Sequence, residues 1–302
     1  MHTDTWIIPK ETFSARMTGN CLCGEVRWSY DDPFAAMLHC HCSVCRKHHG
    51  VLFVTFYAGA LSTFHWRGGT EKIVSWQSSE KTQRSFCSVC GGKVPAVDTK
   101  AQRVFLPAGS FDQEPGIRPQ LHIFVGSKSP LTQIADGLPQ HAAFPPGWGE
   151  GMHTLPRPTR EGVSSGSCAC GRMRFELSGR PLVMRHCHCS RCRHARSAAH
   201  ATNIAWPLEA IRYVTGEELL TDFDLPGAQF FGQSFCSVCG GAMPRRSPGR
   251  GLAVVPVGAL DSDPGINVSA HQFVASKAPW HEIHDGVPQF GEAVPPPPVA
   301  GS

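Results

Sequence analysis

A mostly β fold, built as two tandem copies of one domain, is what this sequence predicts, and three observations carry it. Gly and Pro number 31 and 25 among 302 residues, which favours short strands and turns over long helices. The apolar runs are short or alternating, and no segment carries a long helical period. A set of cysteine motifs occurs twice, at a nearly constant offset.

Each copy opens on a cysteine pair, Cys21 and Cys23 followed by Gly24, and again Cys168 and Cys170 followed by Gly171. Alternating runs follow at Glu25–Tyr30 and Met173–Leu177, as half-buried strands require. The densest stretch runs from His39 to Lys47, with Cys40, Cys42 and Cys45, and returns from His186 to His194 with Cys187, Cys189 and Cys192. Short helical turns are expected after Cys45 and Cys192. Further strands are expected at 51–57, 103–106, 121–125 and 252–257. Phe86, Cys87, Cys90, Gly91 and Gly92 match Phe235, Cys236, Cys239, Gly240 and Gly241. Gly109, Phe111 and Asp112 match Gly258, Leu260 and Asp261, His122 matches His271, and Asp136 matches Asp285.

The offset is 147 residues up to the three-cysteine stretch and 149 after it, so the two extra residues of the second copy lie between Cys192 and Cys236. That stretch is read as loop-bearing, since loops tolerate insertion. The expected domains are residues 1–145 and 164–290, joined by a Pro- and Gly-rich linker at 146–163 and followed by a Pro-rich tail at 291–302.

Composition narrows the function. A 41% hydrophobic, 17% charged chain is an ordinary globular one. A net charge of +4 is too small to imply nucleic acid. The basic run from Arg245 to Arg250 lacks interleaved aromatics and has no equivalent in the first copy. Met1 to Phe13 carries no sustained apolar region behind a basic start, and no run approaches the ~20 apolar residues of a membrane span. The fourteen cysteines are therefore placed in a reducing, cytoplasmic setting, where clusters serve as metal ligands or catalytic groups more often than as disulfides.

Cys87 and Cys90 have the spacing of a metal knuckle, and Cys21 and Cys23 put two sulfurs on one side of an extended segment. Together they offer a closed four-thiolate site for zinc. Cys40, Cys42 and Cys45 then form a group of three, which leaves a fourth position for water or substrate, as in catalytic zinc. A ribbon-like set of Cys42, Cys45, Cys87 and Cys90 satisfies the same spacing rules, so spacing leaves the partition open. His39 and His41 alternate with the cysteines and would point away from Cys40 and Cys42 on an extended segment. Arg46 and Arg193 follow the clusters directly, where a cation favours thiolate over thiol and can grip a carboxylate. Asp112 and Asp261 are read as turn residues, and His122 and His271 as buried, hydrogen-bonded histidines.

These motifs, over about residues 17–141 and again 164–290, resemble those of the glutathione-dependent formaldehyde-activating enzyme family, which includes centromere protein V. The resemblance implies the β-tent, a zinc-tied all-β domain, here in tandem. It implies a structural zinc on Cys21, Cys23, Cys87 and Cys90, and on Cys168, Cys170, Cys236 and Cys239. It implies a second, labile zinc linked to catalysis on Cys40, Cys42 and Cys45, and on Cys187, Cys189 and Cys192. The activity implied is that of a carbon–sulfur lyase joining formaldehyde and glutathione, or a related thiol and aldehyde, as S-hydroxymethylglutathione. The competing expectation is a non-catalytic, zinc-scaffolded binding protein with two domains.

Overall fold

The computed structural model describes residues 16–31, 34–80, 82–111, 113–148 and 163–295. Asp112, most of the expected linker and the end of the expected tail lie outside the described residues.

The first copy holds strands β1 (Met17–Asn20), β2 (Arg27–Tyr30) and β3 (Ala36–Cys40), helix α1 (Ser43–His49), then β4 (Val54–Ala60), β5 (Phe64–Gly68), β6 (Ile73–Ser79), β7 (Thr82–Cys87), β8 (Ala96–Asp98), β9 (Arg103–Pro107) and β10 (Leu121–Ile123). The second copy repeats the order with β11 (Ser164–Ser167), β12 (Arg174–Leu177), β13 (Val183–Cys187), α2 (Ser190–Arg196), β14 (Ala201–Pro207), β15 (Ile211–Thr215), β16 (Leu220–Asp224), β17 (Gly232–Cys236), β18 (Ala242–Met243), β19 (Arg245–Ser247), β20 (Leu252–Pro256) and β21 (Val268–Gln272). The mostly β architecture in two repeated halves is the one expected. The two extra residues of the second copy fall in the turn of its β16–β17 hairpin, as the unchanged offset of β14, β15 and β16 requires.

Each half builds a three-stranded antiparallel sheet, β1-β2-β5 or β11-β12-β15, and a five-stranded sheet, β10-β3-β4-β9-β8 or β19-β20-β14-β13-β21. β10 runs parallel to β3, and β21 to β13, whereas their neighbours are antiparallel. That parallel register sets His122 beside His39 and His271 beside His186. Both helices begin one residue after a cluster cysteine rather than following the cluster. Cys42 and Cys189 cap them, their sulfurs accepting from the Cys45 and Cys192 amides at 3.3 and 3.5 Å. Gly50, at φ 73°, ends α1 in the left-handed conformation, so the expected strand at 51–57 starts only at Val54.

The first core stacks Phe34 between Tyr30 and Tyr57, with ring centroids 4.6 and 4.3 Å apart. The second gathers Met173, Phe175, Ile204, Trp206 and Val255. Neither core closes on its own residues alone. Ala199, Ala278 and Trp280 of the second half enter the first core, and Leu52 of the first half enters the second.

The halves meet about an approximate two-fold relation. α1 packs on the turn Val257–Ala259, and α2 on the matching turn Ala108–Ser110. Phe86 and Phe235 meet edge to face at 6.1 Å, each over the glycine (Gly240 or Gly91) that follows the other half's second knuckle cysteine. Lys47 reaches from α1 to Asp261 at 2.7 Å, with both side chains buried.

Candidate metal centres and the histidine cavity

The ends of the strands deliver the cysteines. Cys21 and Cys23 lie in the turn after β1, and Cys87 and Cys90 at the end of β7; Cys168, Cys170, Cys236 and Cys239 repeat this. In each half the four sulfurs lie within 4.8 Å of one another. Cys21 and Cys23 are 3.4 Å apart, Cys23 and Cys87 3.8 Å, and Cys168 and Cys170 3.4 Å. A tetrahedron with Zn–S bonds of about 2.3 Å has edges of about 3.8 Å, so these groups have the size and donor set that zinc takes. Crowding pulls their acidities apart. Cys21 is pushed up by Cys23 and Cys87, while Cys23 is pushed down by Cys21. A divalent cation relieves that conflict, because it lets all four ionise.

Cys40, Cys42 and Cys45 form one three-sulfur group, and Cys187, Cys189 and Cys192 the other. Cys40 and Cys45 are 3.5 Å apart, and Cys187 and Cys189 3.6 Å. Among the described residues Cys42 and Cys45 gather with Cys40, and Cys87 and Cys90 with Cys21 and Cys23. Cysteine groups of a size and donor set able to hold a metal ion are thus present in both halves, and their chemistry is compatible with zinc.

The two clusters differ in surroundings. Cys40 lowers Cys42, but contact with Cys45 and burial together outweigh it and raise Cys42, while contacts with Cys40 and Cys42 leave Cys45 well below a normal thiol. In the second half Cys189 is the lowered thiol, held at about 3 by its contacts with Cys187 and Cys192. Cys42 is buried, whereas Cys189 is half-buried. Arg84 of β7, a residue the cysteine spacing gives no reason to select, hydrogen-bonds Cys45. Burial opposes its charge, but the three thiols outweigh that and raise its pKa. Its counterpart Gln233 donates instead to the Cys90 carbonyl across the halves.

Arg46 donates to the His41 carbonyl at 3.2 Å and the Ser127 carbonyl at 3.0 Å, while lining, with Ser43, a cleft of about 170 Å³. Arg193 is buried and donates across the interface to the Phe111 carbonyl at 3.4 Å. Asp261 pairs with Lys47 and accepts from the Ser167 hydroxyl at 2.7 Å.

The histidines face elsewhere. His39 and His41 line a cavity of about 540 Å³ between the halves, to which none of the cysteines contributes. His41 is 2.8 Å from His122, whose other ring nitrogen meets Asp136 at 3.0 Å. The second half repeats the chain through His188, His271 and Asp285 at 2.8 and 2.9 Å. Two segments missed as contributors, 130–138 and 280–287, close the cavity. The matching aspartates were visible in the repeat, but nothing local marks them as partners of a strand histidine.

A family model described as glutathione-dependent formaldehyde-activating enzyme matches residues 16–127 and 163–276, one match per repeat and together well over half of the chain. A crystal structure of a Rhodobacter sphaeroides protein is similar at 29% identity, covering 34% of this chain and 90% of that one, with a TM-score of 0.28. No curated protein matches the chain.

Proposed function

Because the chain belongs to the glutathione-dependent formaldehyde-activating enzyme family, we propose that it is a zinc-dependent carbon–sulfur lyase acting on adducts of formaldehyde with glutathione, or of a related aldehyde and thiol. The carrying observation is the pair of three-sulfur groups, each one ligand short of a closed site. Cys40, Cys42 and Cys45, and Cys187, Cys189 and Cys192, are the proposed catalytic zinc ligands. Cys21, Cys23, Cys87 and Cys90, and Cys168, Cys170, Cys236 and Cys239, are the proposed structural ones. Bound zinc supplies a positive charge that lowers the pKa of a thiol held beside it.

The remaining work falls to the chain. The substrate thiol gives up its proton, its sulfur bonds to the formaldehyde carbon, and the electron pair of the broken C=O π bond moves to oxygen, which takes a proton. The net change adds S–H across C=O without oxidant or reductant. Arg46, half-buried at its cleft, is the proposed grip for a substrate carboxylate in the first half. Arg193, which matches it in the second, is assigned the same role by repeat, although its guanidinium is committed across the interface.

Adduct formation above the uncatalysed rate tests the reading. The wild type should exceed the buffer background, and a folded variant carrying Cys42→Ser and Cys189→Ser should fall to it. Wild type and variant both at background would favour the binding-protein alternative.

A further inference from the structure

We propose that the cavity between the halves holds a second class of metal site, one per repeat, in which two histidines and an aspartate bind a divalent first-row transition ion. The donors are His39, His122 and Asp136 in the first half and His186, His271 and Asp285 in the second. This site is independent of the thiolate groups.

Three separate segments bring the first set together. His39 comes from β3, His122 from its parallel neighbour β10, and Asp136 from the loop beyond. Their donor atoms lie within 4.8 Å of one another. His122 Nε2 and the Asp136 carboxylate are 3.0 Å apart. Two ligands held at right angles by bonds of about 2.1 Å stand about 3.0 Å apart, so an ion can enter with little movement. His39 meets Thr55 Oγ1 through Nδ1 at 2.8 Å, so where the hydroxyl accepts, Nε2 carries the free lone pair. His122 passes its Nδ1 to His41 Nε2 at 2.8 Å, the outer contact that orients a ligating imidazole. Entry of an ion involves a tautomer change at His122 and His41, with no net loss of protons.

The second half repeats every contact. His186 meets Thr202 at 2.8 Å, His188 meets His271 at 2.8 Å, and His271 meets Asp285 at 2.9 Å. The repetition is selective, because the neighbouring positions have diverged. Phe53 aligns with His200, Thr132 with His281 and Ala135 with His284. All of these line the same cavity, whereas the histidine and aspartate donors are kept in both halves. Asp136 and Asp285 keep about a quarter of their side-chain surface exposed, at 22 and 25%, so the sites have a route from solvent. Imidazole with carboxylate suits zinc, cobalt, nickel or iron and differs from the all-sulfur groups in hardness, which makes the two classes separable.

The test uses the full chain with its cysteine groups first filled with zinc, then titrated with Co²⁺ alone. The wild type should take up one further ion per repeat, and X-ray absorption at the cobalt edge should show nitrogen and oxygen ligands without sulfur. Asp136→Asn should remove one of these ions and Asp136→Asn with Asp285→Asn both, while the zinc content stays unchanged. Asparagine still accepts from the histidine, so the fold contact is retained. A zinc-filled wild type that binds no further cobalt, a cobalt shell containing sulfur, or variants that keep both ions would each overturn the proposal. The wild-type measurements decide the matter without the variants.

Discussion

Gly258 sits where a side chain has no room. A Cβ there would stand 2.2 Å from the Arg46 carbonyl oxygen and 2.4 Å from the Val51 amide, both backbone atoms that cannot swing aside. Gly258→Ala is expected to cost about 2 kcal/mol or more, as overpacking against a rigid neighbour does. Gly249, with nothing within 4 Å, should change by less than about 0.5 kcal/mol when made alanine. Urea unfolding of the two variants checks this, and equal losses would refute the interface constraint. At Lys47 the issue is charge. Lys47→Met would strand Asp261 as a buried, unpaired carboxylate and should cost about 3 kcal/mol, with Asp261→Leu in addition recovering much of the loss. A double variant no more stable than the single would show that the salt bridge is not the reason. The glycine motif and the aspartate were both legible in the repeat, but Asp261 was read as a turn residue. Its partner lies 214 positions earlier in the other half, beyond any local pattern.

Among the elements, the helices and the parallel strand pair do most to place the chemistry. Short helical turns were expected after Cys45 and Cys192, but α1 and α2 begin at Ser43 and Ser190 and enclose those cysteines. Their capping by a cluster cysteine follows from the geometry of the first turn. The parallel β3–β10 pairing was not legible, because a parallel partner requires a long crossover that leaves no local mark. That pairing turns two separately unremarkable histidines into neighbours. The hairpin β6–β7 carries Arg84 to the first cluster, while β16–β17 carries Gln233 away from the second. Arg84→Gln should therefore raise the pKa of Cys45 and slow its alkylation in the metal-free, folded protein, with little effect on Cys189. Equal slowing at both sites would mean that the arginine acts on the fold rather than on the thiol. The basic run near β19 forms ion pairs, Arg245 with Asp224 and Arg246 with Glu217.

For the whole molecule, the cores of the two halves interleave, and their shared cavity buries several histidines. Burial lowers His39, His48, His186 and His281 well below the usual histidine range, and burial together with His271 lowers His200 to about 4. An unfolded histidine takes its proton near pH 6.5. Between pH 6.5 and 4 the unfolded state thus binds more protons than the native state, so stability is full above that window and falls as pH drops through it. Each such histidine contributes a slope of up to about 1.4 kcal/mol per pH unit. His200→Phe, which installs the residue the first half carries, should flatten the dependence by about one proton. An unchanged slope would remove His200 from the account. The tandem organisation, the mostly β class and the cysteine groups were all readable from repeated spacing. The interlock was not, because Leu52, Ala199 and Trp280 are apolar residues with no feature that marks them for the opposite core.

The central claim is that the fourteen cysteines divide into two closed groups of four and two open groups of three. Counting zinc per chain by native mass spectrometry, before and after replacing Cys42 and Cys189 by serine, tests it most directly. The account predicts up to two zinc ions per repeat in the wild type, with one tightly held ion per repeat and a folded chain in the variant. A variant that keeps its full zinc complement, or that loses the tightly held ions along with the labile ones, would contradict it.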